Sequence, residues 1–344
     1  MARHTAWLLA LIILGPAAGA GAAAPVRPMD RTLVPVAVAR YDWLDQTRGR
    51  RVPVKIYFPA RGQGPWPVIL FSHGLGGTRE GYAYLGRFWA GRGYVSVHLQ
   101  HPGSDDSVWR GLGPGAAWLA MNLAAKDPKN AINRIQDVTF VLDRLAGLNR
   151  GPGPLAGRLD LERIGMAGHS FGAFTTLAAG GQTFIRRGMA FRLTDHRIKA
   201  LVALSPPVAR QRGDYGRQYA SIRLPCLHMT GTLDHSPILG GARAPERRIP
   251  FDHMSGADHY LITFQDGDHM IFSGVRFRRG PKSPYAVKDP RFRRLIALAS
   301  AAFWDAYLKG DRRARAWLKN GGLKRLLAQD GRLEMKVGPR PAGN

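Results

Sequence analysis

The sequence predicts an α/β fold with a mostly parallel central sheet, helices on both of its faces, and an antiparallel edge on the N-terminal side. Three observations carry this expectation. Short apolar runs alternate with helical ones from residue 68 onward, as a chain of βαβ units requires. Two β-rich runs near the N-terminus are separated by a short polar turn, as in an antiparallel hairpin. The 344 residues can bury one large core, and no internal repeat of solenoid length divides them.

At the N-terminus, Arg3 precedes the apolar stretch Ala6 to Leu14 and then the small-residue segment GPAAGAGAAAP, which holds A-x-A sites such as Ala18-Gly19-Ala20. Residues 1–24 are therefore expected to be a secretory signal peptide, since the apolar part falls short of the roughly 20 residues a membrane span needs. Export to the periplasm or the exterior follows, with residues 25–310 as one α/β domain. Pro35 to Leu44 and Arg51 to Phe58 are the hairpin strands, joined at Asp45 to Arg50; Pro53 suits an edge. After the linker RGQGPWP come a strand at Val68 to Ser72, a helix around Tyr82 to Gly91 and a strand at Tyr94 to Leu99.

Residues 102–130 carry Gly, Pro and Trp without regular periodicity and read as an excursion, a lid or cap over one end of the sheet. From Asn133, Ile135, Val138, Leu142 and Leu145 share one helical face, and Gly151 to Pro154 ends that helix. Further buried strands are expected at Ile198 to Leu204, Leu224 to Thr230 and Tyr260 to Phe264. Asp289 and Pro290 form an N-cap and N1 pair for a helix that buries Phe292, Leu295, Ile296, Ala299, Phe303 and Tyr307 and stops at Gly310. The basic tail, residues 311–344, is expected to be partly helical and carries no evident chemistry.

Lys and Arg exceed Asp and Glu by 26 charges, which favours weak attraction to anionic membrane or envelope surfaces. The basic residues are spread along the chain, with RFRR at Arg276 to Arg279 and again at Arg291 to Arg294, and no nucleic-acid-binding motif accompanies them, so a nucleic-acid partner is not expected. No obligate protein partner is evident either. The single cysteine, Cys226, excludes an intrachain disulfide and reads as a small buried hydrophobe.

The chemistry concentrates at RIGMAGHSFGAFTTLAAG, where an apolar strand leads into Gly168-His169-Ser170-Phe171-Gly172 and then a small-residue helix. This is the G-x-S-x-G elbow in the setting it requires, with Ser170 forced out above the sheet. A serine hydroxyl needs a histidine base held by a carboxylate. In the α/β-hydrolase order the acid and then the histidine follow downstream, at the carboxyl ends of later strands. Asp234 in LPCLHMTGTLDHSP and His269 in YLITFQDGDHMIFSG occupy those places. Asp195 and Asp214 compete as acids, and His228, His235, His253 and His259 as bases, from weaker positions. The oxyanion donors are expected to be the backbone N–H of Phe171, next to the serine, and of Leu75 in VILFSHGLGGTRE. Phe171, Trp109 and Trp118 are candidates to line an acyl pocket. No cofactor is required, and the DGDH run lacks a second cluster at metal-ligating spacing.

Together, FSHGLGG, HPGSD, GHSFGA, RIKALVALSP, GTLD and GDHM resemble the exported bacterial branch of the dienelactone hydrolase and platelet-activating-factor acetylhydrolase-like serine esterases, from roughly residue 35 to 308. The resemblance implies an α/β-hydrolase fold and hydrolysis of carboxylic esters, short-chain acyl esters or acetylated lipids, with the triad at Ser170, Asp234 and His269. The chain departs from dienelactone hydrolases, whose nucleophile is a cysteine, and from disulfide-bearing cutinases. A polyester hydrolase, a peptidase or amidase using the same triad, and a silent scaffold that binds anionic surfaces are the alternatives.

Overall fold

The computed structural model describes residues 32–208, 214–236, 238, 243–274 and 289–339, the side chains of Arg186 and Asp289 excepted. The expected signal peptide and the RFRR run at 276–279 lie outside the described residues, as does the side chain of the expected N-cap Asp289. Strands β1 (Val36–Asp45) and β2 (Arg50–Pro59) form the antiparallel hairpin, with Val36 opposite Pro59 and Asp45 opposite Arg50. Then follow β3 (Trp66–Ser72), α1 (Ala83–Gly91) and β4 (Val95–Leu99), at or within two residues of the bounds the sequence suggests. Helices α2 (Pro114–Lys126) and α3 (Pro128–Arg150) precede β5 (Leu159–His169) and α4 (Phe171–Ala179). The hairpin β6 (Thr183–Arg186) and β7 (Met189–Arg192), strand β8 (Ile198–Leu204), the short helix α5 (Tyr215–Tyr219) and strand β9 (Cys226–Leu233) come next. The chain continues through α6 (Ile249–His253), β10 (His259–Asp268), α7 (Asp289–Tyr307), α8 (Arg312–Lys319), α9 (Gly322–Leu327) and β11 (Gly331–Lys336).

Among the described residues the main sheet runs β1-β2-β4-β3-β5-β8-β9-β10-β11. From β4 through β10 every neighbouring pair is parallel, and β2 and β11 join this block antiparallel. Parallel strands covered by helices on both faces must be apolar on both sides. Accordingly Ile69 and Phe71 of β3 enter the core beneath α1 and α7, while Val68 and Leu70 enter the opposite core, beneath α3 and α4. No described helix is long and apolar enough to cross a membrane.

Four segments differ from the sequence reading. The excursion contains a regular helix, α2, whose signal was lost because Trp118, Leu119 and Leu123 face outward and only Asn122 is buried. Helix α3 starts five residues before Asn133, where the Asp127 side chain accepts the Lys129 N–H and Pro128 takes the first turn. The hairpin β6–β7 was not anticipated; β7 is exposed throughout and lacks a buried face. The basic tail, read as partly helical, also contributes β11, which pairs with β10 from His259–Lys336 to Phe264–Gly331.

Trp304 of α7 shows how firmly the last long helix is seated. Its ring is fully buried, stands edge-on to Trp89 of α1 at 6.0 Å, and fills the space above Gly165 of β5, where a Cβ would come within 2.8 Å of it. Trp304→Ala should therefore cost about 3–5 kcal/mol of stability in urea titrations. A loss below about 1 kcal/mol would show that α7 does not anchor this side of the core.

Candidate active site

The site begins at a strained turn. Ser170 links β5 to α4 with φ 55° and ψ −118°, a conformation L-residues adopt only where the surroundings enforce it. Two glycines make the turn possible. A Cβ on Gly168 would lie 2.2 Å from the Gly172 carbonyl oxygen, and one on Gly172 would lie 1.8 Å from the Ser72 carbonyl oxygen. The end of β3 and the elbow are thus in backbone contact. Ser170 donates its own N–H to the Leu204 carbonyl at the end of β8, and its side chain stays partly exposed at the carboxyl edge of the sheet.

The structure brings Asp234 and His269 to this serine. The Asp234 carboxylate beside Nδ1 defines the His269 tautomer: Nδ1–H donates to Asp234 Oδ1 at 2.8 Å, with the Ser205 oxygen also 2.8 Å away, and Nε2 accepts from the Ser170 hydroxyl at 3.0 Å. Asp234 follows β9 directly and is fully buried. It accepts from the hydroxyls of Ser205 at 2.9 Å and Thr230 at 2.8 Å, and the Arg247 guanidinium lies 3.4 Å away. Burial alone would push its carboxyl pKa up. The His269 hydrogen bond, the Arg247 charge and the Ser205 hydroxyl together hold it below the usual carboxylate range.

His269 follows the last residue of β10, and the DGD segment expected as a turn is the irregular end of that strand, with Asp266 at φ 60°. The rivals are engaged elsewhere. Asp195 pairs with Arg197 and Asp214 caps α5, while His228 and His259 are buried within β9 and β10.

His169, the residue before the nucleophile, ties the histidine loop to the rest of the site. Its Nε2–H donates to the His269 carbonyl at 2.9 Å, so its Nδ1 accepts from the Tyr82 hydroxyl at 2.7 Å. That hydroxyl in turn receives the Gly74 N–H at 3.4 Å. The Gly74 loop and the His269 loop therefore meet through one buried, uncharged imidazole.

At the expected oxyanion residues, no described group accepts a hydrogen bond from the N–H of Leu75 or of Phe171. The Gly74 carbonyl accepts from His73 Nδ1–H at 2.6 Å, and His73 Nε2 accepts the His101 N–H at 3.1 Å. Because C=O and N–H of one trans peptide point in opposite directions, holding the Gly74 oxygen fixes the direction of the Leu75 N–H. On the outer side of this loop, Trp109 Nε1–H donates to the Gly76 carbonyl at 2.8 Å, and Met121 of α2 packs on the same glycine. Phe171 and Trp109 thus border the site, whereas Trp118 is 55% exposed on α2.

A second Ser-His-Asp chain was not found from sequence, although FSHGLGG and HPGSD contain two of its members. Ser72 donates to His101 Nε2 at 2.9 Å, and His101 Nδ1–H donates to Asp137 at 2.9 Å. Arg50 grips both oxygens of Asp137, at 2.9 and 3.0 Å. These three side chains are fully buried, and the Ser72 oxygen also accepts a hydrogen bond from Arg134 at 2.9 Å. The molecule therefore holds two networks with the connectivity of a serine hydrolase, one open to solvent and one closed. Among the described residues no group of three or more His, Cys, Asp and Glu could hold a metal ion.

Sheet order, elbow and hydrogen-bonded triad geometry define an α/β-hydrolase fold with an arrangement consistent with a serine hydrolase. Residues 46–109 match the family of platelet-activating factor acetylhydrolase, isoform II. The chain is 26% identical over 181 residues to the platelet-activating factor acetylhydrolase of Cavia porcellus, covering 45% of this chain and 38% of that protein. It is also 26% identical over 147 residues to the enzyme of that name from Canis lupus familiaris, covering 35% of this chain and 33% of the relative. The similarity is distant, and the matched stretches span 38% and 33% of those relatives.

The buried imidazoles give the fold a defined response to acid. Burial, the largest cause in each case, holds His73, His169 and His228 well below the ordinary histidine value, His98 at about 3, and His101 and His259 at about 4. The unfolded chain therefore binds protons first, and the stability these groups contribute is complete above about pH 6.5 and declines as pH falls toward 4. Each costs up to about 1.4 kcal/mol per pH unit in that window. Urea midpoints should fall steadily from pH 7 to pH 5, before most carboxylates titrate. An unchanged midpoint across that range would contradict neutral burial of these rings.

Proposed function

We propose that this chain is an exported serine esterase that cleaves carboxylic esters through an acyl-enzyme. The observation that carries the proposal is the partly exposed Ser170, held at a strained elbow with its hydroxyl 3.0 Å from His269 Nε2. Ser170 Oγ attacks the ester carbonyl while His269 takes its proton, and Asp234 stabilises the imidazolium that forms. The N–H groups of Leu75 and Phe171 receive the oxyanion. His269 then gives the proton to the leaving alcohol and next activates water, which attacks the acyl carbon and frees Ser170.

The substrate class we assign is short-chain acyl esters or acetylated lipids. Its support is the distant likeness to platelet-activating factor acetylhydrolases, together with the motifs shared with exported esterases. The N-terminal pattern of residues 1–24 supports export, and the net charge of +26 supports weak attraction to anionic envelope surfaces.

The closed network is the second reading, because Ser72 has the same hydrogen-bond order to His101 and Asp137. Its oxygen has no exposure and already accepts from Arg134, which leaves neither space for an acyl carbon nor a lone pair biased toward attack. Hydrolysis of p-nitrophenyl esters from acetate to long chains separates the two readings. Ser170→Ala should lower kcat by about 10⁴-fold or more, whereas Ser72→Ala should retain turnover well above that level. The reverse order of losses would assign the chemistry to Ser72.

A further inference from the structure

The closed network is built around one side chain that the proposed reaction does not use. Arg134, from the second turn of α3, is fully buried. Its Nη2 donates to the Ser72 hydroxyl at 2.9 Å and to the His73 carbonyl, its Nη1 to the Ser104 hydroxyl at 2.9 Å, and its Nε to the Thr175 hydroxyl at 3.0 Å. The guanidinium carbon lies 4.6 Å from the centre of the Phe171 ring. One planar fork thus spans the end of β3, the HPGSD loop and the first turn of α4.

Two of these contacts adjoin the groups assigned to the oxyanion. The His73 carbonyl is two residues ahead of the Leu75 N–H, and the Phe171 ring belongs to the residue whose N–H is the other donor. Between them, the Ser72 and His73 carbonyls face Gly172 across the closest backbone contact of the elbow, so neither oxygen has access to water. A carbonyl closed in this way needs a donor, and Arg134 supplies it to His73.

The cost of placing a cation here is substantial. No described carboxylate pairs with Arg134, and Asp137, one turn further along α3, is occupied by Arg50, Arg48 and His101. Burial accordingly pulls the guanidinium pKa down to about 9. The Asp137 charge offsets part of that penalty from a distance, but a buried cation with no direct carboxylate partner remains costly. Neutral donors would satisfy the same hydroxyls more cheaply, which points to a use for the rigid fork and its charge.

We infer that Arg134 is a positioning residue for the oxyanion site: it clamps the backbone that presents the Leu75 N–H to the helix end that presents the Phe171 N–H, with Ser72, His101 and Asp137 as its buried scaffold. This rests on the esterase reading of Ser170. Because the clamp acts on donors that matter most in the tetrahedral state, its loss should weaken transition-state binding more than ground-state binding.

The test uses the full-length protein with p-nitrophenyl acetate as substrate and a short-chain trifluoromethyl ketone as a mimic of the tetrahedral adduct. Arg134→Met should lower kcat by about 100-fold with KM within about twofold, and weaken the ketone by a similar factor. Arg134→Lys keeps the charge but not the planar fork, and should fall between wild type and the Met variant. Thr175→Val removes the acceptor of Arg134 Nε–H together with the hydroxyl's own bond to the Phe171 carbonyl, and leaves the guanidinium in place; it should lower kcat by roughly three- to tenfold, again without raising KM. This variant decides the matter if Arg134→Met does not fold. A folded Arg134→Met protein with kcat within about threefold of wild type would overturn the inference, as would Thr175→Val with wild-type kcat and ketone affinity when the Met variant is unfolded. Either result leaves Ser170 as the nucleophile intact. Ester hydrolysis that survives Ser170→Ala undiminished would instead remove the reading on which the clamp rests, and the clamp with it.

Discussion

The site depends on one close approach of backbone to backbone. The end of β3 and the elbow after β5 press together so tightly that a Cβ on Gly172 would sit 1.8 Å from the Ser72 carbonyl oxygen. That contact forces Ser170 into its strained conformation, sets the first residue of α4 beside the loop after β3, and closes the Ser72 and His73 carbonyls off from water. Much of the surrounding polar structure follows from satisfying what this contact buries. Arg134 reaches the His73 carbonyl, His73 holds the Gly74 carbonyl, and the His101 amide fixes the His73 tautomer.

Satisfaction without net charge recurs across the site. His73, His101 and His169 are buried and neutral, each donating through one ring nitrogen and accepting through the other. A neutral imidazole is suited to this role because it joins an acceptor to a donor at no Born cost. His169 thereby links Tyr82 and the Gly74 loop to the backbone of His269, so His269 and the proposed oxyanion donors belong to one connected set of hydrogen bonds. Where charge is buried, as at Asp234 and Asp137, an arginine and hydroxyl or imidazole donors surround it.

Much of this was legible in the sequence. The parallel strands declared themselves because both of their faces are buried and apolar, and the elbow because its glycines and flanking elements admit few other folds. Asp234 and His269 could be placed because strand ends define the catalytic edge, so position after a strand predicts orientation. The helix α2 was hidden by its exposed Trp118, Leu119 and Leu123, which blur an amphipathic pattern, and β11 by its basic surroundings. The closed network escaped for a different reason. Ser72, His101 and the Arg134–Asp137 turn of α3 lie in three separate segments, and only the packing of α3 on the sheet brings them together. Its one local trace was the presence of histidines in FSHGLGG and HPGSD, at positions where glycine alone would suffice for a turn.

The proposed chemistry requires Ser170, rather than the buried Ser72, to form the covalent intermediate. Reaction of the native protein with a fluorophosphonate, followed by mass-spectrometric mapping of the adduct, addresses this most directly. The predicted result is a single phosphonylated peptide containing Ser170, with none containing Ser72. An adduct on Ser72, or a folded protein that forms none, would contradict it.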